Sequence, residues 1–251
     1  MEVTGKDYDA CHDMLYNNGY KVYTSIDMEA QELLQTTVDT ELEDYNTRNN
    51  NGSYALQASA VTIDNTTGLV TAIVGGRSQD DVSADYNRAY LSFRQPGSSI
   101  KPLIVYTPAL ERGYTPDSIV NDEKTEGGPS NANKSYAGKI TLRQAVESSK
   151  NTVAWSLFEE LTPKVGISYL RNMNFSHLEN QDEQMAASLG GFTRGVSALE
   201  MASGYAALEN SGKYREPTCI VKITDADGND IYVSDQEETV VYKENAARMM
   251  T

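Results

Sequence analysis

The pattern of apolar and polar positions turns on one place in the chain, where Pro96-Gly97-Ser98-Ser99-Ile100-Lys101-Pro102 runs directly into Leu103-Ile104-Val105-Tyr106. Pro102 fits a helix only near its start, where backbone N–H groups lack partners anyway. A buried helix opening close to Ser98 and running to about Arg112 is therefore predicted. Before it, residues 19–26 alternate like a strand. Asp27 suits an N-cap, and Leu34, Val38, Leu42 and Tyr45 share one helical face. Residues 46–53 form a loop of Asn, Arg and Gly; residues 55–64 and 69–74 are strand-like and joined by the turn Asn65-Thr66-Thr67-Gly68. Residues 77–87 make a polar, flexible connection to the central segment.

Beyond the central helix, residues 121–139 are rich in Gly, Asn, Ser and Lys and predict a long surface loop. Residues 141–148 and 152–161 predict helices with Ser149-Lys150-Asn151 at their junction. Further helices are expected over 164–173, briefly over 184–188, and over 196–210 after the break at Leu189-Gly190-Gly191. Residues 218–224 and 231–233 read as a small hairpin, and residues 243–251 begin a last helix. Residues 1–18 are polar and irregular and read as a linker ahead of a single domain over 19–251. Strands flanking a mainly helical middle give the α+β class.

Composition narrows the functional classes. With 39% hydrophobic residues the chain holds a globular core, and a formal charge of −15 leaves no basic stripe for nucleic acid or an anionic membrane surface. No apolar run approaches the ~20 residues of a membrane span. Two cysteines, Cys11 and Cys219, make no disulfide framework, and with two histidines they make no zinc site. The acidic stretch Asp225-Ala226-Asp227-Gly228-Asn229-Asp230 has its glycine in the wrong place for a calcium loop, so a hairpin turn is expected there.

The chemistry is set by what surrounds Ser98. On a helix Ser98 and Lys101 share a face, so the amine can reach the hydroxyl, whereas Ser99 points away. A serine needs a base to become a nucleophile. His12 and His177 lie in stretches that do not look like a site, so the base for a serine here is a lysine. Ser-x-x-Lys alone is a weak signal, and Ser149 and Asn151 alone read as helix caps. Together they form the first two parts of the three-part signature of serine acyltransferases that react with penicillin.

From these residues the resemblance extends over nearly the whole chain. Residues 19–27, Arg94 to Pro102, Tyr106 to Pro116, Gly138 to Arg143, Ser149 to Thr152, Leu189-Gly190-Gly191, Gly195 to Ala202 and Asn210 to Tyr214 resemble, in order and spacing, the transpeptidase domain of a bifunctional (class A) penicillin-binding protein. The resemblance implies a β-lactamase-like fold, with an antiparallel sheet packed by helices beside an all-helical sub-domain and the site in the cleft between. It implies that Ser98 attacks the penultimate D-alanine carbonyl of a stem peptide, that Lys101 takes its proton, that Ser149 relays a proton to the leaving amine and that Asn151 holds the donor's peptide carbonyl. No cofactor is implied. The implied partners are stem peptides ending in D-Ala-D-Ala, β-lactams and the wall-synthesis machinery. The implied location is the extracytoplasmic face of the bacterial membrane, with an N-terminal anchor and a glycosyltransferase domain outside this chain.

The sequence departs from the family in its third motif. A Lys-Thr/Ser-Gly strand is expected after the final helix, and the sequence stops at Thr251 without it. Lys124-Thr125-Glu126 is no substitute, because it lacks the glycine and falls in the predicted loop. The expectation is a fragment with half an active site, impaired by itself, whose 55–74 hairpin keeps an open edge. The alternatives are a D,D-carboxypeptidase or β-lactamase sharing the nucleophile, or a non-catalytic penicillin sensor or wall scaffold.

Overall fold

In the computed structural model of the protein, which describes residues 5, 7–78 and 86–251, the stretch expected to be irregular contains helix α1 (Tyr8–Asn17). Residues 1–4 and 6 of the expected linker lie outside the described residues. The helix is capped by Asp7, whose carboxylate accepts from the Ala10 N–H at 2.9 Å. His12 stands between the rings of Tyr8 and Tyr16, one helical turn away on either side. None of its residues is buried.

Strand β1 (Lys21–Thr24) leads into α2 (Met28–Glu41), capped by Asp27 as its sequence predicts; the Asp27 carboxylate accepts from Glu29 N and Ala30 N. Strands β2 (Ala60–Ile63) and β3 (Val70–Val74) form the expected hairpin, although residues 55–59 stay outside the ladder. Val70, Ala72 and Val74 turn one face of β3 into the core. The outer edge of β3 is not open. Asp27 N donates to Thr71 O at 2.9 Å, and the side-chain amide of Gln31 bonds both the N–H and the C=O of Ile73, at 2.8 and 3.0 Å. That amide does the work of a neighbouring strand's backbone. Helix α3 (Arg88–Leu91) follows; residues 79–85 of the predicted polar connection lie outside the described residues.

The predicted central helix exists, in three hydrogen-bond registers. Gly97–Ile100 is a 3₁₀ turn, Pro102–Tyr106 a π-helical turn, and α4 (Thr107–Glu111) is α-helical. The two prolines explain the slippage. Neither Pro102 nor Pro108 can donate, and between them Thr107 N bonds the carbonyl of Pro102 instead of that of Leu103. Leu103 O is satisfied from elsewhere, by the buried Tyr242 hydroxyl at 2.8 Å. Ile100, Leu103, Ile104 and Val105 are fully buried, each contributing about 2 kcal/mol of hydrophobic stabilisation.

One correction concerns the region after this rod. Its predicted long loop is framed by an antiparallel pair, β4 (Ile119–Asp122) and β5 (Gly138–Thr141), so only residues 123–137 are loop. The helices α5 (Leu142–Glu147), α6 (Asn151–Leu161) and α7 (Pro163–Arg171) pack round the rod, and Gly166 lies so close to the Phe158 ring that no side chain fits there. After 3₁₀ turns at Asn180–Asp182 and Met185–Leu189 comes α8 (Ala198–Glu209), opened by a capping box between Ser197 and Glu200.

Strands β6 (Lys213–Tyr214), β7 (Ile220–Thr224), β8 (Asp230–Val233) and β9 (Thr239–Val240) precede the last helix, α9 (Glu244–Met250). The β7–β8 hairpin turns at residues 225–229, with Asp225 accepting from Asn229 N and Nδ2. It is joined by β1, giving the sheet order β1-β7-β8. Every ladder between these strands is antiparallel, and the architecture is the mixed α+β one.

Candidate active site

Ser98 sits in the first turn of the central rod, with its side chain exposed. The turn before it needs a left-handed residue, supplied by Gly97 at φ 58°. Three contacts hold this turn from behind. The Gln95 side-chain amide pairs with both backbone groups of Phe192, at 2.5 and 2.6 Å. Arg94 and Val196 exchange backbone hydrogen bonds at 2.9 and 2.8 Å. Gly190 approaches so closely that a Cβ there would fall inside the backbone of Gly97. On the other side Tyr205 Oη donates to Ser99 O at 2.7 Å. The Ser99 hydroxyl is spent on Pro96 O at 2.7 Å, consistent with its predicted orientation away from the lysine.

In a 3₁₀ turn residues i and i+3 eclipse, and Lys101 N bonds Ser98 O in that way. Lys101 is 1% exposed, and its Nζ donates to Ser149 O at 2.9 Å, Ser149 Oγ at 3.2 Å and Asn151 Oδ1 at 2.8 Å. The first two sequence motifs thus meet at one nitrogen. Among the described residues, no group forms a hydrogen bond with the Ser98 hydroxyl, so the expected direct bond from Lys101 to it is absent here. Burial lowers the Lys101 pKa to about 8, and among the described residues no carboxylate pairs with it to raise it again.

Ser149 is held in an unusual way. Helix α5 ends in a Schellman motif, with Ser149 N bonding Val146 O and Lys150 N bonding Ala145 O, at 3.0 and 2.9 Å. The left-handed position of that motif normally belongs to glycine. Here it is Ser149, at φ 49°. Helix α6 begins two residues later without a side-chain cap of its own on Lys150. The cap comes from outside: Asn131 Oδ1 accepts from Asn151 N at 2.9 Å and Thr152 N at 3.4 Å. Asn151 Nδ2 donates to Ser130 O at 3.0 Å.

Comparison with known proteins places the chain in a family. The family description "Penicillin binding protein transpeptidase domain" fits residues 58–251. The chain belongs to that family. Penicillin-binding protein 4 of Bacillus subtilis (strain 168) is 33% identical over 233 residues, covering 91% of this chain and 35% of that protein. Penicillin-binding protein 1F of the same organism is 34% identical over 254 residues, 97% of this chain and 33% of its own. The chain thus spans about a third of the length of these relatives. The PonA1 protein of Mycobacterium tuberculosis, solved in complex with penicillin V, superposes with a TM-score of 0.80 at 22% identity, covering 98% of this chain and 65% of that one. This likeness establishes the fold.

In this penicillin-binding transpeptidase domain, sequence reasoning missed the groups behind the second motif. Asp122 is fully buried and accepts from Thr152 Oγ1 at 2.6 Å, Asn131 Nδ2 at 2.6 Å and Ala137 N at 2.8 Å, while pairing with Lys150 Nζ at 2.7 Å. Burial opposes ionisation of this carboxyl, but these four donors together outweigh it and hold its pKa well below the usual carboxylate range. The only signal was an acid among Gly, Asn and Ser in a stretch that reads as loop. His177, set aside on sequence, packs its ring on Phe93 at 3.8 Å, at the start of the Ser98 segment. Lys124-Thr125-Glu126 stays in the 123–137 loop, and Cys11 and Cys219 are thiols. Among the described residues no helix is long and apolar enough to cross a membrane.

Proposed function

We propose that the protein is a peptidoglycan D,D-transpeptidase of the serine type, with Ser98 as nucleophile, Lys101 as base, Ser149 as proton relay and Asn151 as substrate ligand. The observation that carries this reading is the convergence of a buried, carboxylate-free amine on both residues of the second motif. As a neutral amine Lys101 would keep two N–H donors for the carbonyls of Ser149 and Asn151, leaving its lone pair for a hydroxyl proton. Ser98 Oγ then attacks the penultimate D-alanine carbonyl, and its proton passes to Lys101. As the C–N bond breaks, a proton reaches the departing D-alanine amine through Ser149. An amine from a second stem peptide attacks the acyl-enzyme, and the cross-link forms as Ser98 regains its proton. β-Lactams would acylate the same oxygen.

The domain is assigned to residues 19–251, with residues 1–18 leading into it. The whole protein is placed at the outer face of the bacterial membrane with the wall-synthesis machinery, where stem peptides and β-lactams meet it. The test is to incubate the complete protein with a fluorescent penicillin and locate the adduct by mass spectrometry. A stable adduct on Ser98, lost in Ser98→Ala, supports the reading. Rapid hydrolysis of the adduct points to a β-lactamase, and no adduct points to a scaffold. Cross-linking of a lipid-linked precursor then separates a transpeptidase from a carboxypeptidase or a sensor.

A further inference from the structure

Lys150 is the one member of Ser149-Lys150-Asn151 without a part in the chemistry above, yet it is the most deeply buried of the three, at 7% exposure. Its ammonium meets the Asp122 carboxylate, which is itself completely enclosed. A buried ion pair is a poor source of stability, because desolvating both charges offsets much of their attraction. Its place in the chain suggests another use. Ser149 stands in a left-handed conformation that a serine leaves readily unless its surroundings enforce it. From one side the end of α5 fixes it, through the bonds of Ser149 N and Lys150 N. From the other, Asn131 grips the first two N–H groups of α6 while its own amide donates to Asp122. Thr152, the second residue of α6, donates to the same carboxylate. Asp122 is therefore the point at which the 123–137 loop, the tripeptide and the start of α6 are tied together.

We infer that the Asp122–Lys150 ion pair, with Thr152 and Asn131 on the same carboxylate, is a positioning device that keeps Ser149 and Asn151 in register with Lys101. The inference rests on the transpeptidase reading and names residues that act only through others. Release of Lys150 lets the Ser149 carbonyl and the Asn151 amide drift from the Lys101 nitrogen. That changes both where the lone pair points and the pH at which it becomes available, and it disturbs the ligand-receiving face only at Asn151.

The test uses the complete protein and a fluorescent penicillin, separating the initial dissociation constant from the acylation rate constant across a pH series. In Lys150→Met the acylation rate constant should fall about 10- to 100-fold, with the initial dissociation constant changed less than about threefold and the pH midpoint displaced. Lys150→Arg, which keeps the charge, should recover part of the rate. Should Lys150→Met not fold, Thr152→Val decides the matter, with a fall of about threefold or more that Thr152→Ser restores. A merely structural role would lower the melting temperature or the labelled fraction and leave rate constant and midpoint unchanged in the folded molecules. That result, with the parent protein acylated normally, overturns the inference alone. A parent protein that forms no Ser98 adduct overturns the functional reading, and the inference with it.

Discussion

Raising the pH from about 6 to 9 should switch Lys101 on as a base, and the size of the effect follows from its burial. In water a lysine amine titrates near 10.5; enclosed beside Ser149 and Asn151, with no carboxylate paired to it among the described residues, this one is lowered to about 8. The neutral fraction at pH 7 is then about one in ten instead of roughly one in three thousand, a gain of about 300-fold in competent enzyme. The assay is the second-order rate constant for penicillin acylation of the complete protein at constant ionic strength. It should climb about tenfold per pH unit below about 7, reach half its limit near 8 and level off above about 9. Folding stability should carry the matching signature. The folded state is penalised while the buried amine is charged, fully so below about 8, and the penalty fades as pH rises from there to about 10.5, where the unfolded chain also releases its proton. A rate profile flat between pH 6 and 9, in protein that stays folded by circular dichroism, would refute a lysine base.

Other consequences can be measured separately. Ser149→Gly and Ser149→Ala both delete the hydroxyl and should both cripple acylation. Glycine should nonetheless be the more stable by about 1 kcal/mol, or roughly 2–4 °C in melting temperature, because only it accepts the left-handed backbone without strain. Gly190→Ala drives a methyl group into the backbone of Gly97 and should cost at least about 2 kcal/mol in urea unfolding, with slower penicillin labelling of the molecules that remain folded. Asp122 stabilises the fold above the usual carboxylate pKa of about 4 and loses that contribution as pH falls towards its depressed native value. Asp122→Asn should therefore lower stability at pH 7 and flatten its decline on acidification, read from unfolding midpoints between about pH 2 and 7.

Much of this was legible in the chain because local chemistry and tertiary structure agree. Asp27 before an amphipathic run, Asn65-Thr66-Thr67-Gly68 between two strands, and the Ser197–Glu200 box each describe their own element. Ser98, Lys101, Ser149 and Asn151 were legible as types at a spacing, and the fold brings the last three to one nitrogen. What was hidden depends on partners distant in sequence or on a broken local rule. The pairing of β1 with β7 joins opposite ends of the chain. Asn121-Asp122 and Gly138-Lys139 carry turn-forming residues and still complete a ladder, since Asp122 is repaid by Lys150, Thr152 and Asn131. Helix α1 is short and has no buried residue, and its many polar positions read as a linker. A serine in a glycine's place gives no hint from sequence that the backbone there is left-handed.

The amide of Gln31 on Ile73 has a directional consequence for the β2–β3 hairpin. With one flank sealed by a side chain posing as a strand, the hairpin can lengthen its ladder only beyond β2. That flank borders a hollow of about 480 Å³ walled by Ile63, Pro102, Ala202, Tyr205 and Met250. Pro102, the first residue past Lys101, stands in that wall, so the unsealed flank of the hairpin and the start of the central rod open onto one hollow. One flank of the hairpin is thus stopped by an amide, and the other looks towards the rod that carries Ser98 and Lys101.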